Sequence, residues 1–131
     1  MIKQQFCVES YWKVIVYYNL DYNFFFDITR ELKRAGINKT LLQELQDNMQ
    51  SGKAKAVTYS NTKQHISIVL FNKHESIEDY INSLVHEAEH IKQAMLRAYK
   101  VRDTGENPAY TIGYLVMRMW QVFKEILTGL W

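Results

Sequence analysis

The sequence predicts an α+β domain, a small antiparallel β-sheet packed on helices. Three observations carry this expectation. Short runs dense in β-branched and aromatic residues recur between turn-forming residues. Longer segments repeat apolar residues at helical spacing behind recognisable caps. Strands and helices come in blocks along the chain and do not alternate one for one, as a parallel βαβ sheet requires. Length agrees, because 131 residues, 47% of them hydrophobic, suffice for one core. With 14% aromatic residues and a net charge of only +2, the chain is not a disordered one. No repeat, low-complexity tract or linker divides it, so residues 1–131 read as a single domain.

Residues 11–18 (YWKVIVYY) read as the first strand. Asp27 then caps a helix running through Arg34, with Gly36 as its stop. Asn38 caps a second helix over 39–50, where Leu41, Leu42, Leu45 and Met49 recur at helical spacing before Ser51-Gly52 ends it. Residues 54–59 and 65–71 are strand-like. The polar Ser60-Asn61-Thr62-Lys63 between them fits an antiparallel hairpin. Ser76 with Asp79 opens a long helix over 77–99 as a capping box. A polar loop containing Gly105 follows, and Pro108 suits the first position of a final helix reaching about Thr128.

Composition excludes several function classes. Basic and acidic residues are interspersed, with no Lys/Arg run longer than two, so no stripe awaits nucleic acid. The single cysteine, Cys7, rules out an internal disulfide framework, suits a reducing compartment and reads as inert. Lys3, Gln4, Gln5 and Glu9 interrupt the first ten residues, so no signal peptide is expected. The most apolar stretch, 109–131, is broken by Arg118, Lys124 and Glu125, short of the roughly 20 apolar residues a membrane span needs. The expectation is a cytoplasmic protein with neither nucleic-acid nor membrane partners.

One motif carries chemistry. His86-Glu87-Ala88-Glu89-His90 in the long helix is H-E-x-x-H, which this composition produces by chance in roughly one such sequence in a hundred. At about 100° per residue, His86 and His90 lie about 40° apart and one turn from each other, so both imidazoles can converge on one metal ion. Glu87, about 100° round from His86, does not join them as a ligand. It can instead take a proton from a water held by zinc, whose pKa zinc lowers towards about 7. Ile77, Tyr80, Ile81, Leu84, Ala88, Ile91 and Met95 form the apolar stripe of this helix, with the histidines roughly opposite. The competing reading is a solvated face, since Asp79, Ser83, Gln93 and Arg97 share that side.

A catalytic zinc needs a third protein ligand. No third His follows closely, since the residues after His90 are IKQAMLRAYK. Glu106, Asp103, His74 and His65 are the candidates. Glu106 leads, because it follows Gly105 and immediately precedes the last helix. A helix ending at Tyr99 overshoots His90 by about 14 Å, and residues 100–105 can span about 20 Å extended, so the chain can return alongside. Glu106 would otherwise be an acid favoured by the helix dipole.

His86-Glu87-Ala88-Glu89-His90 with Glu106-Asn107-Pro108-Ala109-Tyr110 resembles the core of small zinc metallopeptidase-like (zincin) proteins of the ImmA/IrrE type, common on phages and mobile elements. Members carry an E-x-x-A-N segment opening the second helix; Glu106 and Ala109 match, and Tyr110 stands where the family often has Asn. The resemblance spans about residues 66–119. It implies a minimal zincin-like domain in which Zn²⁺ is held by His86, His90 and Glu106, with Glu87 as general base in peptide-bond hydrolysis. It also implies a sheet flanking the site, whose edge strand receives an extended peptide.

Tyr110 and Tyr114 recur at helical spacing from Glu106, so either is a candidate oxyanion donor; packing is the plainer role. Trp12, Trp120 and Trp131 read as core or interface anchors. Three consecutive phenylalanines, Phe24 to Phe26, cannot all face one core, so an apolar patch for self-association or a protein partner is expected there. Two functions from different classes follow: a zinc metallopeptidase, and a non-enzymatic interaction or phage structural protein with a vestigial or structural metal site.

Overall fold

Alternation and caps account for most of the elements in the computed structural model, which describes residues 1–129. Strands β1 (Ile2–Val8) and β2 (Trp12–Tyr18) lead into a 3-10 turn at Tyr22–Phe24 and helices α1 (Phe25–Arg34) and α2 (Lys39–Gln50). Strands β3 (Ala56–Asn61) and β4 (Ile66–Phe71) follow, then α3 (Ile77–Tyr99) and α4 (Glu106–Leu127). The α+β class holds, with four α-helices and one four-stranded sheet among the described residues. No described helix is long and apolar enough to cross a membrane.

The sheet is mixed, which corrects the antiparallel expectation. Its order is β1-β2-β4-β3, with β1/β2 and β3/β4 antiparallel but β2/β4 parallel. The cause lies in the connection. Helices α1 and α2 carry the chain across one face to the outer position, where the more polar β3 (AVTYSN) lies half-buried at the edge. The hairpin then returns the more apolar strand of the pair, β4, to the centre, where every residue is buried, Ser67 included. Strand β1 was not expected at all. Its core-facing positions alternate as Ile2, Gln4, Phe6 and Val8, and the glutamine hides the pattern. Gln4 is accommodated because its amide donates to the Arg118 carbonyl at 2.9 Å and its oxygen accepts from the Tyr18 hydroxyl.

Helices cover both faces, giving three layers. Ile15, Tyr17, Ile68 and Leu70 pack on Ile28, Leu32, Leu45 and Met49 of the first helix pair. Trp12, Val14, Val16, Val69 and Phe71 pack on Tyr80, Leu84, Ala88 and Ile91 of α3 and on Leu115, Met119 and Phe123 of α4. Sandwiching explains why β2 and β4 read as nearly continuous apolar runs.

Some caps fall elsewhere than expected. Asn38 and Ser76 cap α2 and α3 by accepting from the Leu41 and Asp79 amides. Asp27, however, sits inside the first turn of α1 and pairs with Arg30 at 2.6 Å, while Asp21 caps the 3-10 turn before it. Pro108 is the third residue of α4, because Gly105, at φ 85°, already starts that helix. Gly36 does stop α1, at φ 90°, where an added Cβ would lie 2.8 Å from Asn61 Nδ2. Of the Phe run, Phe25 is buried, whereas Phe24 and Phe26 are 54% and 75% exposed, with the Arg30 guanidinium 5.6 Å from the Phe26 ring. Trp12 is buried and Trp120 half-buried; Trp131 lies outside the described residues.

Candidate metal centre

The motif sits in the middle of α3, where that helix runs beside edge strand β3. His86 and His90 are both exposed, and their Nε2 atoms stand 3.1 Å apart with the rings nearly perpendicular. Two nitrogens each about 2.0–2.1 Å from a tetrahedral zinc lie about 3.3–3.4 Å from each other. The pair therefore fits two corners of such a site. Glu87 has the opposite setting and is only 3% exposed. The Thr58 hydroxyl, reaching over from β3, donates to Glu87 Oε1 at 3.0 Å. Burial pushes the Glu87 carboxyl above the usual carboxylate range, while the Thr58 bond and the neighbouring imidazoles pull it back. A buried carboxylate beside two converging imidazoles is suited to proton transfer.

The predicted apolar stripe is partly corrected. Tyr80, Leu84, Ala88, Ile91 and Met95 are buried, but Ile77 and Ile81 are exposed. Ser83 and Glu87, both polar, are buried instead, because the β3 edge and the loop before α3 cover that flank. On this side of the helix His86 and His90 are thus exposed, whereas Ser83 is buried.

The third-ligand candidates separate clearly. His65, in the β3–β4 turn at φ 54°, stacks on Trp12 at 5.4 Å and meets Tyr99. His74 has both ring nitrogens engaged, Nδ1 at 2.6 Å from the Asn72 carbonyl and Nε2 at 2.6 Å from Ser83 Oγ. Asp103 binds the Lys92 ammonium at 2.9 Å, which Glu89 also binds at 2.8 Å. That contact answers the question of the loop's path. Lys100 ends α3 in the left-handed region and the Val101 amide donates to the Leu96 carbonyl. The Lys92–Asp103 ion pair ties the loop back to α3. Glu106 is then the exposed first residue of α4. Among the described residues, no three His, Cys, Asp or Glu side chains lie close enough together to hold a metal ion.

Tyr110 is 71% exposed and lines a cleft of about 530 Å³ between α4 and the β1–β2 turn, with Cys7, Val8, Glu9 and Tyr114 among its walls. None of its lining residues belongs to the motif. The Tyr114 hydroxyl donates to the Cys7 carbonyl at 3.4 Å and accepts from Arg118 at 3.0 Å. No family model matches the chain, and neither a curated protein nor a solved structure matches it.

His74 gives this region a pH dependence. Burial, the largest cause, holds its imidazole below the ordinary value of 6.5, against the Asn72 carbonyl bond. The unfolded chain therefore takes up this proton before the folded one does. The site's contribution to stability is complete above pH 6.5 and is lost as pH falls from there through the lower folded-state pKa. Denaturant midpoints measured across this range should show an acid limb that His74→Gln flattens; parallel curves for the two proteins exclude the assignment.

Proposed function

We propose that the protein is a single-domain zinc-dependent metallopeptidase of minimal zincin type, akin to the ImmA/IrrE group. The observation that carries the reading is the 3.1 Å approach of two exposed imidazole nitrogens beside a buried carboxylate on the same helix. His86, His90 and Glu106 hold the metal in this reading. Zinc bound there supplies Lewis-acid polarisation and acidifies water. Glu87 takes a proton and later returns it to the leaving amine. Thr58 fixes Oε1 of that carboxylate, so Oε2 is the oxygen that carries the proton. Strand β3, at the sheet edge and packed along α3, offers main-chain groups to an extended peptide substrate. The reading places the protein in a reducing cytoplasm, that of a host cell if it is phage-encoded.

A second reading is a non-enzymatic interaction or phage structural protein with a vestigial or structural metal site. It is favoured by the lack of a grouped third ligand among the described residues. Zinc titration with elemental analysis tests the metal site, and peptide hydrolysis by the zinc-loaded protein separates the two readings. The wild type should hold close to one zinc per chain, Glu106→Ala should weaken binding, and Glu106→Asp should retain part of it. If Ala leaves the affinity unchanged, Glu106 is only a helix-terminal acid, contributing no more than about 1 kcal/mol to stability. No zinc after reconstitution overturns the metal reading altogether.

A further inference from the structure

One flank of α3 carries a second constellation that the metal reading does not use. Ser83 lies mid-helix, where a serine hydroxyl ordinarily points to solvent or bonds the carbonyl four residues back. Its Oγ instead lies 2.6 Å from His74 Nε2. His74 Nδ1 lies 2.6 Å from the Asn72 carbonyl. A carbonyl only accepts, so Nδ1 carries the proton, Nε2 of the neutral ring accepts, and the Ser83 hydroxyl donates. Burial favours that neutral ring. The Tyr80 ring stacks on the imidazole at 4.5 Å and fixes its plane.

Hydroxyl, base and orienting group thus stand in the relation that defines an activated nucleophile. Ser83, 9% exposed, lines an open cleft of about 280 Å³ that it shares with Lys55, Ala56, Asn82 and the motif residues His86 and Glu87. Lys55 holds Asp79 at 3.2 Å, and its ammonium has two further N–H donors; Asn82 adds a side-chain amide. Both are donors that an oxyanion can use. A cleft of this size takes a small ester.

We propose that Ser83 is a nucleophile, with His74 as its base and the Asn72 carbonyl as the orienting group, acting on small esters independently of any metal. Ser83 Oγ attacks the ester carbonyl carbon while its proton passes to His74 Nε2. The C–O bond to the alcohol then breaks, and the departing alkoxide takes that proton. Water attacks the acyl-serine, gives its proton to Nε2, and the acid leaves as Ser83 regains its hydrogen.

The test is labelling of the full chain, treated with a chelator, by a fluorophosphonate probe. There the Oγ–P bond forms and fluoride leaves. Mass spectrometry of the wild type should locate the adduct on the Ser83 peptide, which requires no variant. The adduct should vanish in Ser83→Ala and form roughly 100-fold or more slowly in His74→Gln. A purely structural Ser–His contact would not label. The proposal is overturned by an adduct no stronger than in urea-unfolded protein, by an adduct elsewhere, or by His74→Gln labelling at the wild-type rate. Because the chelator is present throughout, failure here leaves the zinc reading untouched, and failure of zinc binding leaves this one untouched.

Discussion

If the protein is a zinc peptidase, Glu87→Gln should retain zinc and lower peptide hydrolysis by about 10²- to 10⁴-fold. Gln keeps the volume of the side chain, and its amide oxygen can still accept the Thr58 hydrogen bond that holds Glu87 Oε1 at 3.0 Å. The fold and both imidazoles are therefore undisturbed, while the proton acceptor is gone. Burial raises the wild-type carboxyl, which brings the base nearer to working pH and enlarges what its removal costs. The check is kcat on a peptide panel alongside the zinc content of each protein. A Gln variant with intact hydrolysis would show that Glu87 is not the base. A zinc-loaded wild type that cleaves nothing in a broad panel shifts the weight to the structural-metal reading.

His86→Ala and His90→Ala each lower zinc affinity by more than about 100-fold, since losing a direct ligand exceeds the 10- to 100-fold typical of an outer-shell partner. On the zinc reading the nitrogens, 3.1 Å apart, would chelate the metal at two points, and either substitution would leave one. Both histidines are exposed, so truncation leaves no cavity and the apo-proteins should melt together. His65→Gln provides the contrast, because that ring is engaged by Trp12 and Tyr99 and should leave zinc affinity unchanged. Competition with a chromophoric chelator measures all three. Equal affinities across the set would remove His86 and His90 from the metal.

Much of the local structure was legible because it depends on neighbours in sequence. The caps at Asn38 and Ser76 set the starts of α2 and α3. The hairpin of β3 and β4 followed from two strand-like runs and a short polar turn. Convergence of His86 and His90 needed only the pitch of a helix, and it is present at 3.1 Å. A length argument allowed the chain to return alongside α3, and the Lys92–Asp103 pair ties the loop to that helix, but among the described residues no third ligand groups with the two histidines.

What tertiary structure alone decided involves partners distant along the chain. Alternation says that a strand has two faces but not which strand lies beside it, so the parallel β2/β4 pairing was hidden. Gln4 masked β1 because its two distant partners, Tyr18 and Arg118, are what make a half-buried amide tolerable. Thr58 is 29 residues from Glu87, and no spacing rule links a strand hydroxyl to a helix carboxylate. Ser83 looked like part of a solvated face until the loop before α3 brought His74 onto it. The sequence by itself determined the helix that aligns two imidazoles and the acid between them. Packing decided which polar side chains left water, and burial is what gives Glu87 and His74 their altered proton affinities.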